Sequence, residues 1–227
     1  MRNRVLDQRA TTLCTAFFVA SSVALLGSCS AVSTAKPNVP TKKAATPNVA
    51  RRAAPNTRAL KIVAAARAQV GDLYDQNYYS LAFPNGDVPK GRGACTDVII
   101  RSLRAVGYDL QKLIYDDKKR HRALYPRGAQ HSRLDPNIDH RRVPNQKIFF
   151  TRFGQTLTNS VTSSTRNQWK AGDIVQWKFD NGLDHIGIIS DKTNARGWPL
   201  AIHNVGGCQE NDVLTTWKIV GHFRFPR

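Results

Sequence analysis

The last third of the sequence is a series of short β-branched segments separated by turn residues, and this pattern restricts the possible folds most. Residues 173–177 alternate apolar and polar side chains, and residues 185–189, 200–205 and 217–225 follow as short apolar runs. Turn signals such as Asn181-Gly182 stand between them. Strands joined by such short turns pair as antiparallel neighbours. The pattern therefore predicts an antiparallel sheet in this part of the chain.

Two segments ahead of these strands have the spacing of amphipathic helices. From Thr57, the predicted N-cap, apolar residues recur every three or four positions as far as Val70. A second helix is expected to begin at Ala94 or Cys95 and to stop at Gly107. Helices followed by antiparallel strands predict an α+β domain. The helix that bears Cys95 is expected to pack on the sheet.

The first 28 residues have the composition of a secretory signal peptide. Three arginines precede an apolar run over residues 10–26, which is shorter than the ~20 apolar residues that a membrane span needs. The run ends in Leu26-Gly27-Ser28-Cys29, which resembles the bacterial lipobox, where the cysteine carries lipid and becomes the first mature residue. We expect a lipoprotein signal over 1–28, lipid on Cys29 and a periplasmic location. Ser30 resembles the signal for outer-membrane sorting. A plain cleaved signal is the alternative.

The next segment, residues 29–57, contains five lysines and arginines, no acidic residue and three Pro-Asn pairs. It has neither helix nor strand periodicity, so it is interpreted as a flexible basic tether, which leaves residues 58–227 as one folded domain. The whole chain has a formal net charge of +18. Such a charge favours a polyanionic partner. Because the leader directs the protein out of the cytoplasm, we expect an anionic wall polymer and a lipid-anchored membrane contact rather than nucleic acid.

Two cysteines remain for the folded domain, Cys95 and Cys208, and they allow three interpretations. They form a structural disulfide in a non-catalytic envelope lipoprotein that binds wall polymer, or they bind zinc together with His185 and His203, or Cys95 is a nucleophile. No closely spaced pair of cysteines or histidines supports zinc, so no metal or other cofactor is predicted. The sequence alone does not exclude the disulfide interpretation.

The nucleophile interpretation depends on where the three side chains lie. A thiol at a helix N-terminus can have its pKa lowered from ~8.5 to between ~3.5 and ~7.5, which favours the reactive thiolate. His185 begins a strand and is the predicted base. An antiparallel hairpin centred on Asn194 would place His185 directly opposite His203 on one face, where His203 can orient it. A bulge would shift this register, and Asn204 would then compete for that role.

These residues resemble known families. Cys95 at a helix start, then His185-Ile186-Gly187-Ile188, then Ile202-His203 resemble the NlpC-type cell-wall peptidases. More closely, residues 93–98, 138–145 and 202–206 resemble family 1287 of domains of unknown function. The first resemblance implies a papain-like domain that cleaves an amide bond of peptidoglycan stem peptides, with Cys95 as nucleophile, His185 as base and His203 as the third residue. The NlpC-type motif usually has Asp before the cysteine, and this chain has Ala94, which puts that substrate contact in doubt.

Five further residues are weaker candidates for substrate contact: Tyr79, Asp97, Arg141, Arg142 and Asn204. The resemblance implies an upstream tyrosine near the oxyanion, for which Tyr79 is the preferred member of an aromatic cluster. The two arginines have the chemistry to hold a substrate carboxylate, or else they form an internal salt-bridge network. The sequence does not distinguish an endopeptidase from an amidase or a transacylase, and it does not indicate an oligomeric state.

Overall fold

The computed structural model describes residues 56–127 and 133–227, so the predicted leader, Cys29 and nearly all of the predicted tether lie outside the described residues. The helices are α1 Thr57–Arg67, α2 Cys95–Arg104, α3 Leu110–Arg120 and α4 Val143–Phe153. The strands are β1 Leu73–Tyr74, β2 Arg92–Gly93, β3 Gln155–Thr156, β4 Ile174–Lys178, β5 Asp184–Thr193, β6 Pro199–Asn204, β7 Cys208–Asn211 and β8 Lys218–Arg224. None of the helices in the described part of the chain is long and apolar enough to cross a membrane.

Six strands form one antiparallel sheet in the order β3-β8-β4-β5-β6-β7, and β1 and β2 form a separate parallel pair. Helices α1, α2 and α4 pack against one face of the large sheet, where Ile186, Ile188 and Ile202 join their apolar stripes. A second cluster around Trp177 and Leu214 includes residues from the opposite face. The predicted α+β class with an antiparallel sheet is confirmed.

Helix α1 begins one residue earlier than its predicted cap implies. The N-cap is Asn56 rather than Thr57, because the Asn56 side-chain oxygen accepts a hydrogen bond from the backbone N–H of Arg58. The helix ends at Arg67, and Gly71 lies beyond it with a φ of +98°. Helix α2 begins at Cys95, as expected. Its first turn is closed by Asp97, whose carboxylate accepts a hydrogen bond from the backbone N–H of Ala94 at 2.7 Å.

Residues 115–127 and 133–145 are rich in polar side chains, yet they contain more regular structure than this composition indicates. They contain the second half of α3, a 3₁₀ turn at Asp139–Arg141 and the start of α4. Some of their charged residues are buried in pairs: the ammonium of Lys118 lies 2.5 Å from Asp139, and both side chains are almost fully enclosed. The apolar periodicity is therefore weak here because charged partners fill part of the interior.

Candidate functional site

Cys95 is the first residue of α2 and lies against β5. Its sulfur accepts hydrogen bonds from the backbone N–H groups of Ile186, on β5, and of Thr96. These bonds lower the pKa of the thiol, but burial has the larger effect and raises that pKa to about 12. The expectation that the helix terminus supplies a resting thiolate is therefore wrong. The side chain is only 6% exposed, so loss of solvation outweighs the donors at the helix start.

His185 and His203 are in direct contact. The Nε2 atom of His185 lies 2.9 Å from the Nδ1 atom of His203. The predicted register is wrong by two residues, because Gly187, not His185, lies opposite His203. The cause is the position of the turn: Thr193 pairs with Pro199, an offset of four residues from the predicted register, and an irregularity between Ile189 and Thr193 reduces this offset to two. Since the shift is even, both histidines stay on the same face of the sheet.

Gly187 makes room for this diagonal contact. A Cβ atom at this position would lie 2.9 Å from the backbone oxygen of Ile202 and 3.1 Å from the Cβ atom of His203. Any larger residue would push β6 and the His203 ring away from β5. The glycine between the two histidine positions is therefore part of the site.

Asn211, on β7, continues the chain of hydrogen bonds. Its Oδ1 atom lies 2.8 Å from the Nε2 atom of His203, and its Nδ2 group donates to the Gln209 side-chain oxygen at 3.0 Å. An amide oxygen only accepts, so His203 carries its proton on Nε2 and accepts at Nδ1. His185 must then donate from Nε2. Its Nδ1 atom is left with a free lone pair, which is the form that a general base requires.

The sequence reasoning missed Asn211. The available signal is the Gly206-Gly207 turn, which is followed by a short segment that ends in Asn211. That turn predicts one more hairpin strand, and a strand beside β6 would bring a polar residue near His203. The register of the added strand then determines which of its residues lies on the same face as His203.

Aromatic rings surround His185. Trp177 and Phe179 stack near it at centroid distances of 5.6 and 5.1 Å, and Trp217 meets it edge-on at 5.5 Å. This burial lowers the pKa of His185 to about 3, with a smaller contribution from the nearby His203. Burial also lowers the pKa of His203. Both imidazoles are therefore neutral at pH 7, and so is the Cys95 thiol.

A cavity of about 310 Å³ opens beside Cys95. Its lining includes Arg141, Arg142 and Tyr74 but not Tyr79. The hydroxyl of Tyr79 instead donates to Asp75 at 2.7 Å. Tyr74 is close enough to Cys95 that the thiolate would raise the pKa of the phenol, in addition to the larger effect of burial. The tyrosine that lines the cavity together with Cys95 is therefore Tyr74 rather than the preferred Tyr79.

Asp97 and Arg141 form an internal salt bridge. The Arg141 guanidinium lies 2.9 Å from the Asp97 carboxylate through both Nε and Nη2, and it also donates to the backbone oxygens of Asp75 and Asn77. Both side chains are almost completely buried. Of the two roles considered for Arg141, substrate binding and an internal salt-bridge network, the structure shows the salt-bridge network. Its donors hold the cavity wall and the start of α2 together.

Asn204 lies on the other face of β6 from His203 and does not compete with it. Its side-chain Nδ2 donates to the backbone oxygen of Gly93 at 2.8 Å. This bond holds the loop that leads into Cys95. Asn204 therefore holds the segment that precedes Cys95 from the strand side.

Cys95 and Cys208 are both free thiols, which contradicts the disulfide alternative. The Cys95 sulfur is directed at the backbone of β5. Cys208 pairs with Asn204 at the start of β7, and its own backbone is bonded to Gly71 and Asp72. Among the residues that the structure describes, no three His, Cys, Asp or Glu side chains are grouped so that they could hold a metal ion.

Comparison with known proteins gives one family and one curated relative. The family model described as "Domain of unknown function (DUF1287)" matches residues 63–225. The uncharacterized protein YijF of Escherichia coli (strain K12) is 48% identical over 169 residues, which are 73% of this chain and 81% of that protein.

Among solved structures, two crystal structures of an N-acetylmuramoyl-L-alanine amidase from Bacteroides uniformis ATCC 8492 resemble the fold at 13% identity. One covers 76% of this chain and all of that chain with a TM-score of 0.49. The other covers 74% of this chain and 99% of that chain with a TM-score of 0.47. Likenesses this distant carry no information about the chemistry at Cys95.

Proposed function

The chain belongs to the DUF1287 family, and within that family we propose that it is an exported cysteine hydrolase with a papain-like, NlpC-type domain. Cys95 is the nucleophile, His185 the general base and His203 the residue that orients it. One observation carries this proposal: a chain of hydrogen bonds runs from Asn211 through His203 to His185 and fixes the base tautomer next to the strand position that holds the thiol.

The resting pair is neutral, so we infer general-base catalysis rather than a preformed thiolate–imidazolium pair. As the sulfur attacks an amide carbonyl, the Cys95 proton passes to Nδ1 of His185 and the new S–C bond forms. The carbonyl electron pair moves onto oxygen. There it is stabilised by the backbone N–H groups at the start of α2 and by the hydroxyl of Tyr74.

Collapse of this intermediate breaks the C–N bond, and the amine leaves with the proton held by His185. Water then attacks the thioester, with His185 again taking a proton, and releases the acid and the free thiol. No step in this sequence requires a metal or an organic cofactor.

The proposed substrate is an amide bond in a peptidoglycan stem peptide. The resemblance to the NlpC-type peptidases supports it, as do the secretory leader and the net charge of +18, which favours an anionic polymer. The cavity beside Cys95 adds a charge argument, because its lining includes both basic and acidic side chains, among them Arg142 and Asp184. A peptide that carries both an ammonium and a carboxylate group suits such a lining.

The test is digestion of purified sacculi, with the products identified by mass spectrometry. We expect cleaved muropeptides from the wild-type protein and none from Cys95→Ala. Cys208→Ala is the matched control, because Cys208 is also a buried free thiol, and this variant should retain the activity. Equal products from Cys95→Ala and wild type would remove Cys95 from the mechanism. Sacculus binding without products from wild type would support a non-catalytic wall-binding protein instead.

We further propose that the mature protein is a periplasmic lipoprotein, anchored through Cys29 to the outer membrane. The leader and the lipobox-like Leu26-Gly27-Ser28-Cys29 support this location. The basic segment that follows would hold the domain near anionic lipid or wall polymer.

A further inference from the structure

A second depression, of about 390 Å³, lies at the turn between β4 and β5. It is lined by Phe179, Asp180, Asn181, Val205 and Trp217. The surface around it is unusually apolar for an exposed turn: Leu183 is 61% exposed and Val205 is 42% exposed. Exposed apolar patches of this kind often mark ligand-binding grooves.

The floor of this depression touches the proposed catalytic histidines. The Trp217 ring lies 5.5 Å from the His185 ring and 5.7 Å from the His203 ring, and the Phe179 ring lies 5.1 Å from His185. Phe179 and Trp217 also pack against each other at 4.8 Å. A group that rests on these two rings would therefore lie one side-chain layer away from the general base.

The two depressions flank one hairpin. Asp184 lines the cavity at Cys95, and residues 179–181 of the same turn line the second depression. A substrate long enough to occupy both would lie on Cys95 in the first depression and cross the turn that precedes His185. The second depression is thus placed to bind the part of the substrate on the far side of the scissile bond from the Cys95 cavity.

The chemistry of the lining points to one class of ligand. The two aromatic rings are partly exposed and meet at 63°, which gives an L-shaped apolar platform. Pyranose rings stack their C–H faces on such platforms, and the carboxylate of Asp180 and the amide of Asn181 supply hydrogen-bonding groups for hydroxyl and acetamido substituents. An apolar peptide side chain would use the rings alone. A sugar ring would use the rings together with the Asp180 carboxylate and the Nδ2 group of Asn181, whose Oδ1 atom accepts a hydrogen bond from the backbone N–H of Leu183.

We propose that this depression is a subsite for an N-acetylated sugar ring. The inference rests on the proposed function and sharpens it: the substrate is a peptide still attached to its glycan, with the sugar on Phe179 and Trp217 and the peptide in the cavity at Cys95.

The test is calorimetric titration of the Cys95→Ala protein with three probes: an N-acetylmuramoyl peptide, the same peptide without the sugar, and a trimer of N-acetylglucosamine. We expect the sugar-bearing peptide to bind at least about tenfold more tightly than the free peptide, which is a difference of about 1.4 kcal/mol. Adding Phe179→Ala should remove this difference and also abolish binding of the trimer, while binding of the free peptide stays unchanged.

Two further variants serve as controls. Phe153→Ala removes another exposed aromatic ring, on α4, and should leave all three affinities unchanged. Asp180→Ala changes only an exposed rim residue and should weaken binding of both sugar probes even if Phe179→Ala fails to fold.

Equal binding of sugar-bearing and sugar-free peptides, a difference that survives Phe179→Ala, or no binding of any sugar probe would overturn the subsite. The trimer separates this result from the fate of the proposed function. If the trimer binds through Phe179, the sugar subsite stands even if wild type cleaves no amide. If sacculi are cleaved but no sugar preference exists, the subsite alone is wrong.

Discussion

At the scale of single residues, the proposed site depends on the tautomers of two neutral histidines rather than on charged side chains. Asn211 presents an oxygen to His203, and this one acceptor fixes the tautomers of two successive imidazoles. Because the rings are buried and neutral, no ion pair holds the arrangement. Asn211, at the end of this chain of hydrogen bonds, is therefore expected to affect catalysis although it does not line the cavity at Cys95.

Asn211→Leu removes that acceptor and should lower kcat by about 10²-fold, the low end of what a positioned general base contributes. KM should stay nearly unchanged, because Asn211 does not line the cavity at Cys95. Steady-state kinetics on a defined muropeptide measures the two effects separately. Asn211→Asp keeps an acceptor at this position and should retain most of the activity.

A matched control for this change is Asn159→Leu, at an exposed asparagine elsewhere in the chain, which should leave kcat unchanged. If Asn211→Leu raised KM and left kcat intact, Asn211 would have no part in setting the tautomer.

The pKa of Cys95 gives a second prediction. With that pKa raised to about 12, the thiolate fraction rises tenfold for each pH unit up to pH 10 and beyond. The rate of alkylation by iodoacetamide, followed by mass spectrometry of the peptide that contains Cys95, should therefore climb through this range without a plateau. A preformed ion pair would instead give a fast rate that is constant from pH 6 to pH 9, and that outcome would contradict the neutral resting state.

The sequence predicts Cys95, His185 and His203 because residue type, helix start and strand parity are all local properties. The prediction that the two histidines share a face was correct despite the error in register, since a shift of two residues does not change the face. Tyr74 was not distinguished from the other tyrosines of its aromatic cluster, and Asn211 was missed, for another reason. Their roles depend on a loop path and on a strand partner, which are set by contacts distant in sequence.

At the scale of elements, the start of α2 is held from three directions. Asp97 closes its first turn, Arg141 binds Asp97 from the 3₁₀ turn, and Asn204 binds the preceding loop from β6. The thiol is thus positioned by a helix whose N-terminus is bonded to two other parts of the fold. A buried ion pair is at the centre of this arrangement.

Asp97→Asn leaves Arg141 as a buried cation without its charge partner and should lower the free energy of unfolding by about 3–5 kcal/mol. Urea denaturation measures the change. Asp116→Asn is the matched control, because Asp116 pairs with Lys112 on the surface of α3, and such a pair contributes only about 0–1 kcal/mol. Similar losses in the two variants would show that the Asp97–Arg141 pair is not important for stability.

Elements whose apolar residues recur with a clear period were predictable from the sequence, and elements that bury polar residues were not. The strands around His185 and His203 have the β-branched composition that marks them, whereas α3 buries Asp117 and Lys118. Helix α4 begins at Val143-Pro144, immediately after a 3₁₀ turn in the same polar region. Strand β7 has four residues, too few to establish an alternation.

At the scale of the whole molecule, the proposed anchor and the proposed site are separate parts of one chain. The proposed tether of residues 29–57 could span at most roughly 100 Å if it were fully extended, at about 3.5 Å per residue. Such a reach allows a domain fixed to a membrane to meet polymer beyond the lipid surface. Anchoring would thus restrict where the hydrolase acts, but it would not alter the chemistry at Cys95.

Cys29→Ala should therefore abolish incorporation of labelled palmitate and move the protein from the membrane fraction to the soluble fraction. The hydrolytic rate of the purified protein should be unchanged, because Cys29 lies outside the domain that carries Cys95. Cys14→Ala is the control: this cysteine lies within the apolar run of the leader, and its replacement should leave the palmitate label in place. Label that persists in Cys29→Ala would place the lipid on another residue and contradict the anchor at Cys29. Wild-type protein that carries no label and is fully soluble would show that the leader is an ordinary cleaved signal. The domain would then reach the wall by diffusion and by its charge alone.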